Sequence, residues 1–399
     1  MADAPWLTIV GLGEDGPAGL SPASREALDQ AEIVMGPPRH LALLPELRAE
    51  RIEWPVPFAD GVARLLELRG RQVVMLASGD PFWFGAGSVI ARHLQPKDWR
   101  ALPGLSVFSL AAARLGWPLE TTVTLGLHAA PLTRLRPYLA AGHRVIVLVR
   151  DGAAVASLAE FLVETGFGES TLHVCEALGG PRERTRACVA ASLAPDDISH
   201  PVCVGLEIAG YGLALPLTPG RPDAMFENDG QITRSPVRAM TLAALAPRPG
   251  EHLWDIGGGS GSVAIEWLLS HPSLSATTIE PRPDRAKRIR RNADQLGVDR
   301  LDIVQGSAPD ALDNLQRPDA VFVGGGLSAD MLTWLHTNLR DGTRLVANAV
   351  TLESESMLAQ AQAQYGGNLL RVELAQAGPL GGKRGWKAAY PVVQWSVTL

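Results

Sequence analysis

Short apolar runs alternate with longer stretches of helical period along the whole chain. Leu7–Leu12, Val73–Ala77, Val145–Val149 and Val202–Ile208 are brief and rich in Val, Ile and Leu, which predicts strands. Between them, Ser21–Ala31 and Ala153–Thr165 carry apolar residues at helical spacing. Strands separated by helices predict βαβ units and mostly parallel sheets, an α/β fold. From Tyr211 to Pro236 the pattern dissolves. GLALPLTPGRPDAMFENDGQITRSP concentrates Pro, Gly and Asp and predicts a linker and the entry to a second domain. The alternation then restarts at Leu253–Ile256, Ala276–Ile279, Leu301–Val304, Ala320–Val323 and Leu345–Asn348. Antiparallel-looking material at Leu369–Gln376 and Ala388–Val397 closes it. The division expected is a domain over 1–215, a linker over 216–228 and a second α/β domain over 229–399.

Composition narrows the class. A chain of 399 residues exceeds one hydrophobic core and calls for roughly two to three domains. The net charge of −6 argues against a broad grip on nucleic acid. Cys175, Cys188 and Cys203 are the only cysteines, and their spacing forms neither a zinc pattern nor a disulfide framework. No bound metal is expected. The opening MADAPWLTIVGLGEDG has no basic leader, and no run reaches the roughly 18 apolar residues of a membrane span, so the expected location is the cytoplasm.

The candidate chemistry of the second half starts at LWDIGGGSGSVAIEWLL, where a strand breaks into glycines and a helix follows. Glycines admit positive φ and let a ligand approach backbone N–H groups at a helix N-terminus. Gly259, Gly261 and Ala264 meet the G-x-G-x-x-A spacing of dinucleotide sites, so an NAD-linked oxidoreductase is one reading. Asp255 before the glycines would repel a pyrophosphate and suits a cationic ligand, while Glu280 at the end of the next strand is placed to hold ribose hydroxyls. Ser307 and Ala308 follow the third strand, where an adenine edge would lie. Arg234, Arg238, Lys383 and Arg384 are cations suited to a substrate with many carboxylates. Gln231 and Thr233 are either polar groups over a ligand or, for Thr233 and Ser235, caps of the helix that Pro236 begins. Gly324, Gly325 and Gly326 would let a flat ring approach the backbone.

Through D-x-G-x-G-x-G at 255–261 and Glu280, this half resembles the class I S-adenosylmethionine-dependent methyltransferases. The run GQITRSPVRAM, IEPRPDRAKRIRRNADQLGV, APDAL and PDAVFVGGG is more specific and resembles the C15-methylating, decarboxylating enzymes of corrin-ring synthesis. That resemblance makes Asp255, Gly257, Gly259, Gly261, Glu280, Ser307 and Ala308 cofactor contacts. It lays the GQIT segment over the substrate, with Gln231 a substrate contact and Thr233 a catalytic candidate, while Arg234, Lys383 and Arg384 are taken as substrate contacts on their charge. A base-reading Asn-Pro-Pro-Tyr type of motif is missing, which counts against an RNA methyltransferase.

The first half carries VGLGEDGPAGLS, LASGDPFWFGAGSVIARHL and LPGLSVFSLAAARLGWP, which together resemble the tetrapyrrole methylase family. Glu14-Asp15-Gly16 stands where that family usually has Pro-Gly-Asp, a variant shared, with GPPRHLALL, by its C5-methylating branch. The resemblance implies a two-lobed domain with Gly79, Asp80, Trp83, Ser106 and Val107 at the methyl donor. It also offers Asp15 as a catalytic group, and His40 and His128 as candidate substrate contacts. The fold implied for the whole chain is a two-lobed tetrapyrrole methylase domain followed by a Rossmann-like class I methyltransferase domain. The implied activity uses S-adenosylmethionine at two sites, one per domain. It methylates C5 and C15 of a tetrapyrrole corrin precursor and removes CO₂ from its C12 acetate. The remaining expectations are a homo-oligomer and no nucleic-acid or membrane partner.

Overall fold

The computed structural model describes residues 5–44, 46–192 and 195–399. They divide into two compact units: residues up to Ala130 with Tyr138–Leu213, and Pro131–Pro137 with Ala214–Leu399.

The first unit holds two five-stranded sheets. In one, strands run in the order Glu50–Glu53, Ile33–Gly36, Val73–Ser78, Leu7–Leu12, Trp99–Leu102, all parallel. Leu7–Leu12 is buried along its whole length, as a central parallel strand covered on both faces requires. The helix that follows, Pro22–Gln30, is started locally: Ser21 accepts a hydrogen bond from Ser24 N at 3.1 Å, with Pro22 in the first turn. The other sheet departs from the mostly parallel pairing of the rest of the chain. Its order is Val123–Gly126, Arg144–Leu148, Val202–Glu207, Thr171–Glu176, Arg184–Val189, and only the first pair is parallel. The helix Gly152–Glu164 links Arg144–Leu148 to Thr171–Glu176, and the later strand Val202–Glu207 inserts between those two strands, antiparallel to both.

The second unit is built on a seven-stranded sheet, ordered Asp302–Gln305, Ser275–Glu280, His252–Ile256, Ala320–Val323, Arg344–Ala349, Val392–Thr398, Asn368–Val372. The first five pair parallel, and Val392–Thr398 pairs antiparallel with both Arg344–Ala349 and Asn368–Val372. Alternate side chains of His252–Ile256 feed two cores: Leu253 joins one with Val263, Trp267 and Ile289, while Trp254 and Ile256 join the other with Met331 and Leu335. The strand order reverses direction between His252–Ile256 and Ala320–Val323. In an open α/β sheet the crevice beyond the carboxyl ends at such a switch point is where ligands bind. The antiparallel material expected at Leu369–Gln376 falls in two strands, Asn368–Val372 and Ala375–Leu380. The latter pairs only with Lys383–Ala388 in a separate two-stranded ribbon.

Candidate functional site

At the switch point of the second unit the strand His252–Ile256 runs into a loop that turns at Gly257, Gly259 and Gly261, all with positive φ. A methyl group added at Gly257 would fall 2.7 Å from Gly325 Cα, so the two glycine loops meet backbone to backbone. Gly325 therefore packs against the first loop, and Gly326 next to it has open space beside it. Gly258 is held as closely, 2.1 Å from Thr278 Cγ2 by the same test. Glu280 closes the arrangement. One carboxylate oxygen accepts from Gly259 N at 2.8 Å and the other from Arg282 N at 3.1 Å. The loop after the third strand joins it, with Gly306 N donating to Glu280 O at 3.3 Å and Ser307 and Ala308 following. Asp255 lies behind the loop, not in it. It is 1% exposed and accepts from Ala264 N at 3.3 Å, in the first turn of Ser262–Ser270. Burial, opposed by that N–H and reinforced by the Glu280 charge, pushes its carboxyl up to about 7. The buried Ser260 hydroxyl has no hydrogen-bond partner among the described residues.

The GQIT segment lies over this loop, with Gln231 O 3.2 Å from the position a Cβ on Gly259 would take. It is tied to the helix Pro283–Gln295. Asp229 accepts from Arg285 Nε at 2.9 Å and pairs with Arg288 at 3.1 Å, and these bonds hold its carboxyl far below the usual range. Asn292 receives Glu227 N at 2.8 Å and donates to Glu227 O and Ser260 O, each at 2.9 Å.

Neither Thr233 nor Ser235 caps the helix Ser235–Leu245. The Asp223 carboxylate does, accepting from Ser235 N at 3.0 Å. Arg238 is not a cation waiting for substrate. It is fully buried and spent on Glu266 at 2.8 Å, on Asp223 at 3.1 Å and on the carbonyls of Thr233 and Arg221. Arg234 is exposed and 3.4 Å from Asp223. Lys383 and Arg384 stand on the exposed ribbon.

In the first unit three glycines bring three loops together. A Cβ on Gly11 would lie 1.9 Å from Gly79 O and 2.3 Å from Gly104 N, and Gly104 N donates to Gly79 O at 3.0 Å. Gly79 turns with φ +51° beneath Leu105 and Ser106. Gly79, Ser106 and Val107 are thus neighbours. Asp80 accepts from Phe82 N at 2.8 Å and shapes the turn at Pro81, and Ser106 caps the helix Val107–Leu115 by accepting from Ser109 N at 3.1 Å. Trp83 stacks on Phe108 of that helix, centroids 5.2 Å apart. Asp15 turns its carboxylate onto Gly13 and Gly19. His40 is buried and His128 exposed.

Asn292 and Glu266 were missed as supports of the second site. The signal for Asn292 was present: Ile289, Asn292, Ala293 and Leu296 form one helical stripe, and an Asn on an apolar stripe needs partners.

A family model described as tetrapyrrole (corrin/porphyrin) methylases matches residues 6–194, and one described as a precorrin methyltransferase domain matches 224–399. The chain is 49% identical over 400 aligned residues to the precorrin-6Y C(5,15)-methyltransferase [decarboxylating] of a Sinorhizobium species, covering 99% of this chain and 97% of that one. Two Salmonella typhimurium proteins match in part. The cobalt-precorrin-6B C(15)-methyltransferase (decarboxylating) is 32% identical over 40% of this chain and 85% of its own. The cobalt-precorrin-7 C(5)-methyltransferase is 29% identical over 45% of this chain and 88% of its own. A chain with both domains in tandem and this identity over its whole length belongs to the precorrin-6Y C(5,15)-methyltransferase (decarboxylating) family.

Proposed function

We propose that this chain methylates C5 and C15 of precorrin-6Y and removes CO₂ from its C12 acetate, giving precorrin-8X, with one methyl-transfer site in each unit. The first unit would serve C5, and the second C15 and the decarboxylation. The carrying observation is the glycine loop at the switch point of the second unit, its Gly259 N–H held by Glu280, together with an independent glycine junction within the first unit. S-adenosylmethionine supplies a sulfonium methyl to each site.

The residues present fit that donor. The turn Gly257–Gly261 leaves backbone close to any ligand at the start of Ser262–Ser270. Each Glu280 oxygen holds one backbone N–H and keeps lone pairs for ribose hydroxyls. Asp255 ionises near neutral pH, and a cationic ligand close by favours its charged form. In the first unit Gly79, Asp80, Trp83, Ser106 and Val107 are assigned the equivalent place.

The chemistry needs little nucleophilic help. A meso carbon of the reduced ring attacks the methyl carbon, the carbon–sulfur bond breaks toward sulfur, and the ring later loses a proton. The protein's part is to hold carbon, methyl and sulfur in line. In decarboxylation the electrons of the broken C–C bond enter the conjugated ring and a proton returns to carbon. Gln231 and Thr233 are assigned to orient the ring or return that proton, Asp15 to take one up at the other site, and Arg234, Lys383 and Arg384 to meet ring carboxylates. We also read the chain as a homo-oligomer, with Leu380, Trp386 and Tyr390, all exposed, as apolar contact residues.

Mass spectrometry of the product tests this reading. Glu280→Ala in the full chain should yield a product with one added methyl group and its acetate intact. A doubly methylated, decarboxylated product formed at the wild-type rate would place the C15 site elsewhere.

A further inference from the structure

One charged cluster of the first unit is used by none of this. It gathers at the carboxyl ends of two neighbouring parallel strands, Leu7–Leu12 and Val73–Ser78, which are paired Leu12 to Ser78. Glu14, two residues past the first strand, is 8% exposed and takes two arginines. Arg39 donates to one carboxylate oxygen, and Arg182 to the other at 3.3 Å. Arg39 also donates to Ser78 Oγ at 3.1 Å and reaches His40 Nε2 at 2.8 Å, and His40 Nε2 is 3.1 Å from the same hydroxyl. An arginine only donates, so His40 Nε2 is an acceptor and the ring is neutral.

The two guanidiniums face one carboxylate, which leaves a positive charge uncompensated. Two nearby acids are engaged elsewhere: Asp151 pairs with Arg150 at 2.9 Å, and Glu183 is held by Arg114 at 2.5 Å and by Gly179 N at 2.6 Å. The surplus is felt locally. Burial and then Arg39 push His40 down to about 3, and burial followed by Arg39 lowers His200 as well. Gly180 packs directly against Glu14, 2.6 Å from Glu14 Cβ to the place of its missing Cβ, so the loop that carries Arg182 is seated by the carboxylate it binds. Arg182 keeps 59% of its side chain exposed while one N–H stays on Glu14.

We infer that Arg39 and Arg182, set by Glu14, form a carboxylate-binding site of the first unit. The parts are a paired cation fixed on one carboxylate and its place at the carboxyl ends of two parallel strands, bonded to Ser78, the residue before Gly79. Glu14 is a positioning residue: it fixes both guanidiniums and leaves the other donors of the exposed Arg182 for a ligand. The inference rests on the reading of this unit as the C5-methylating one. Two ligands there would carry a carboxylate, the acetate and propionate arms of the macrocycle and the amino-acid end of the methyl donor.

The experiment is steady-state kinetics of the full chain with precorrin-6Y, scoring C5 and C15 methylation separately by product mass, together with titration of S-adenosylhomocysteine. Arg182→Ala, at an exposed position, should raise the KM of the macrocycle for C5 methylation by roughly 10- to 100-fold, the range for one charge-assisted contact. Arg182→Lys should recover part of it, and Glu14→Gln should raise the same KM with a smaller effect on kcat. C15 methylation should keep its wild-type constants. A rise confined to the dissociation constant of S-adenosylhomocysteine also supports the site and names the donor as its ligand. Unchanged constants in both arms for Arg182→Ala and Glu14→Gln overturn it. Wild-type chain that forms no C5-methylated product would instead defeat the functional reading beneath it.

Discussion

Asp255 has almost no contact with solvent, yet its carboxyl titrates near 7 because burial disfavours its charge and Glu280 adds repulsion. An unfolded aspartate titrates near 3.9. Between those values the folded chain binds more protons than the unfolded one, so this group's contribution is largest in acid and is lost as pH rises through 7. Asp255→Asn keeps the shape without the charge. Its thermal midpoint relative to wild type, measured without ligand, should rise from pH 5 to pH 8. A difference that stays flat across that range would mean that Asp255 is not held protonated. Single residues were unevenly legible in sequence. The glycines and Glu280 stood at fixed offsets from a strand and showed themselves. Arg238 did not: nothing in SPVRAM separates an exposed cation from a buried one, because its partners Glu266 and Asp223 are 28 and 15 residues away.

The glycine loops act as elements in contact with elements, and each junction lies within one unit. Gly11→Ala drives a methyl group into Gly79 O and Gly104 N; Gly257→Ala drives one into Gly325 and also forces φ +75° on a residue with a side chain. We expect the first variant to lose C5 methylation and keep C15 methylation, and the second to do the reverse, read by product mass. Loss of both activities from either variant would show that the junctions are not separate. The central strands were legible because both faces are buried and the sequence is continuously apolar. Glu50–Glu53, written ERIE, was not, since only Ile52 is buried. The antiparallel insertion of Val202–Glu207 was hidden for a different reason: strand order depends on contacts far apart in sequence, not on local period.

At the scale of the molecule, each unit has its own cores and its own glycine junction. Proteins named for one methylation each align to 40% and 45% of this chain. Mixing the Gly11→Ala and Gly257→Ala chains should therefore restore the doubly methylated product, through a singly methylated intermediate that leaves one chain and enters the other. Failure of the mixture, with each variant active alone at its own carbon, would mean that the intermediate is not exchanged. The buried ion network gives this modularity a boundary. Gly220 N and Arg221 N donate to Glu266 at 2.7 and 2.9 Å, and Asp223 meets Arg238. Both Glu266 and Arg238 lie inside the methyltransferase core, where a charge stripped of its partners costs about 3–5 kcal/mol. A gene fission that freed the later half as a stand-alone enzyme would have to place its new start codon upstream of Gly220, because what reads as spacer there is already the interior of the next protein.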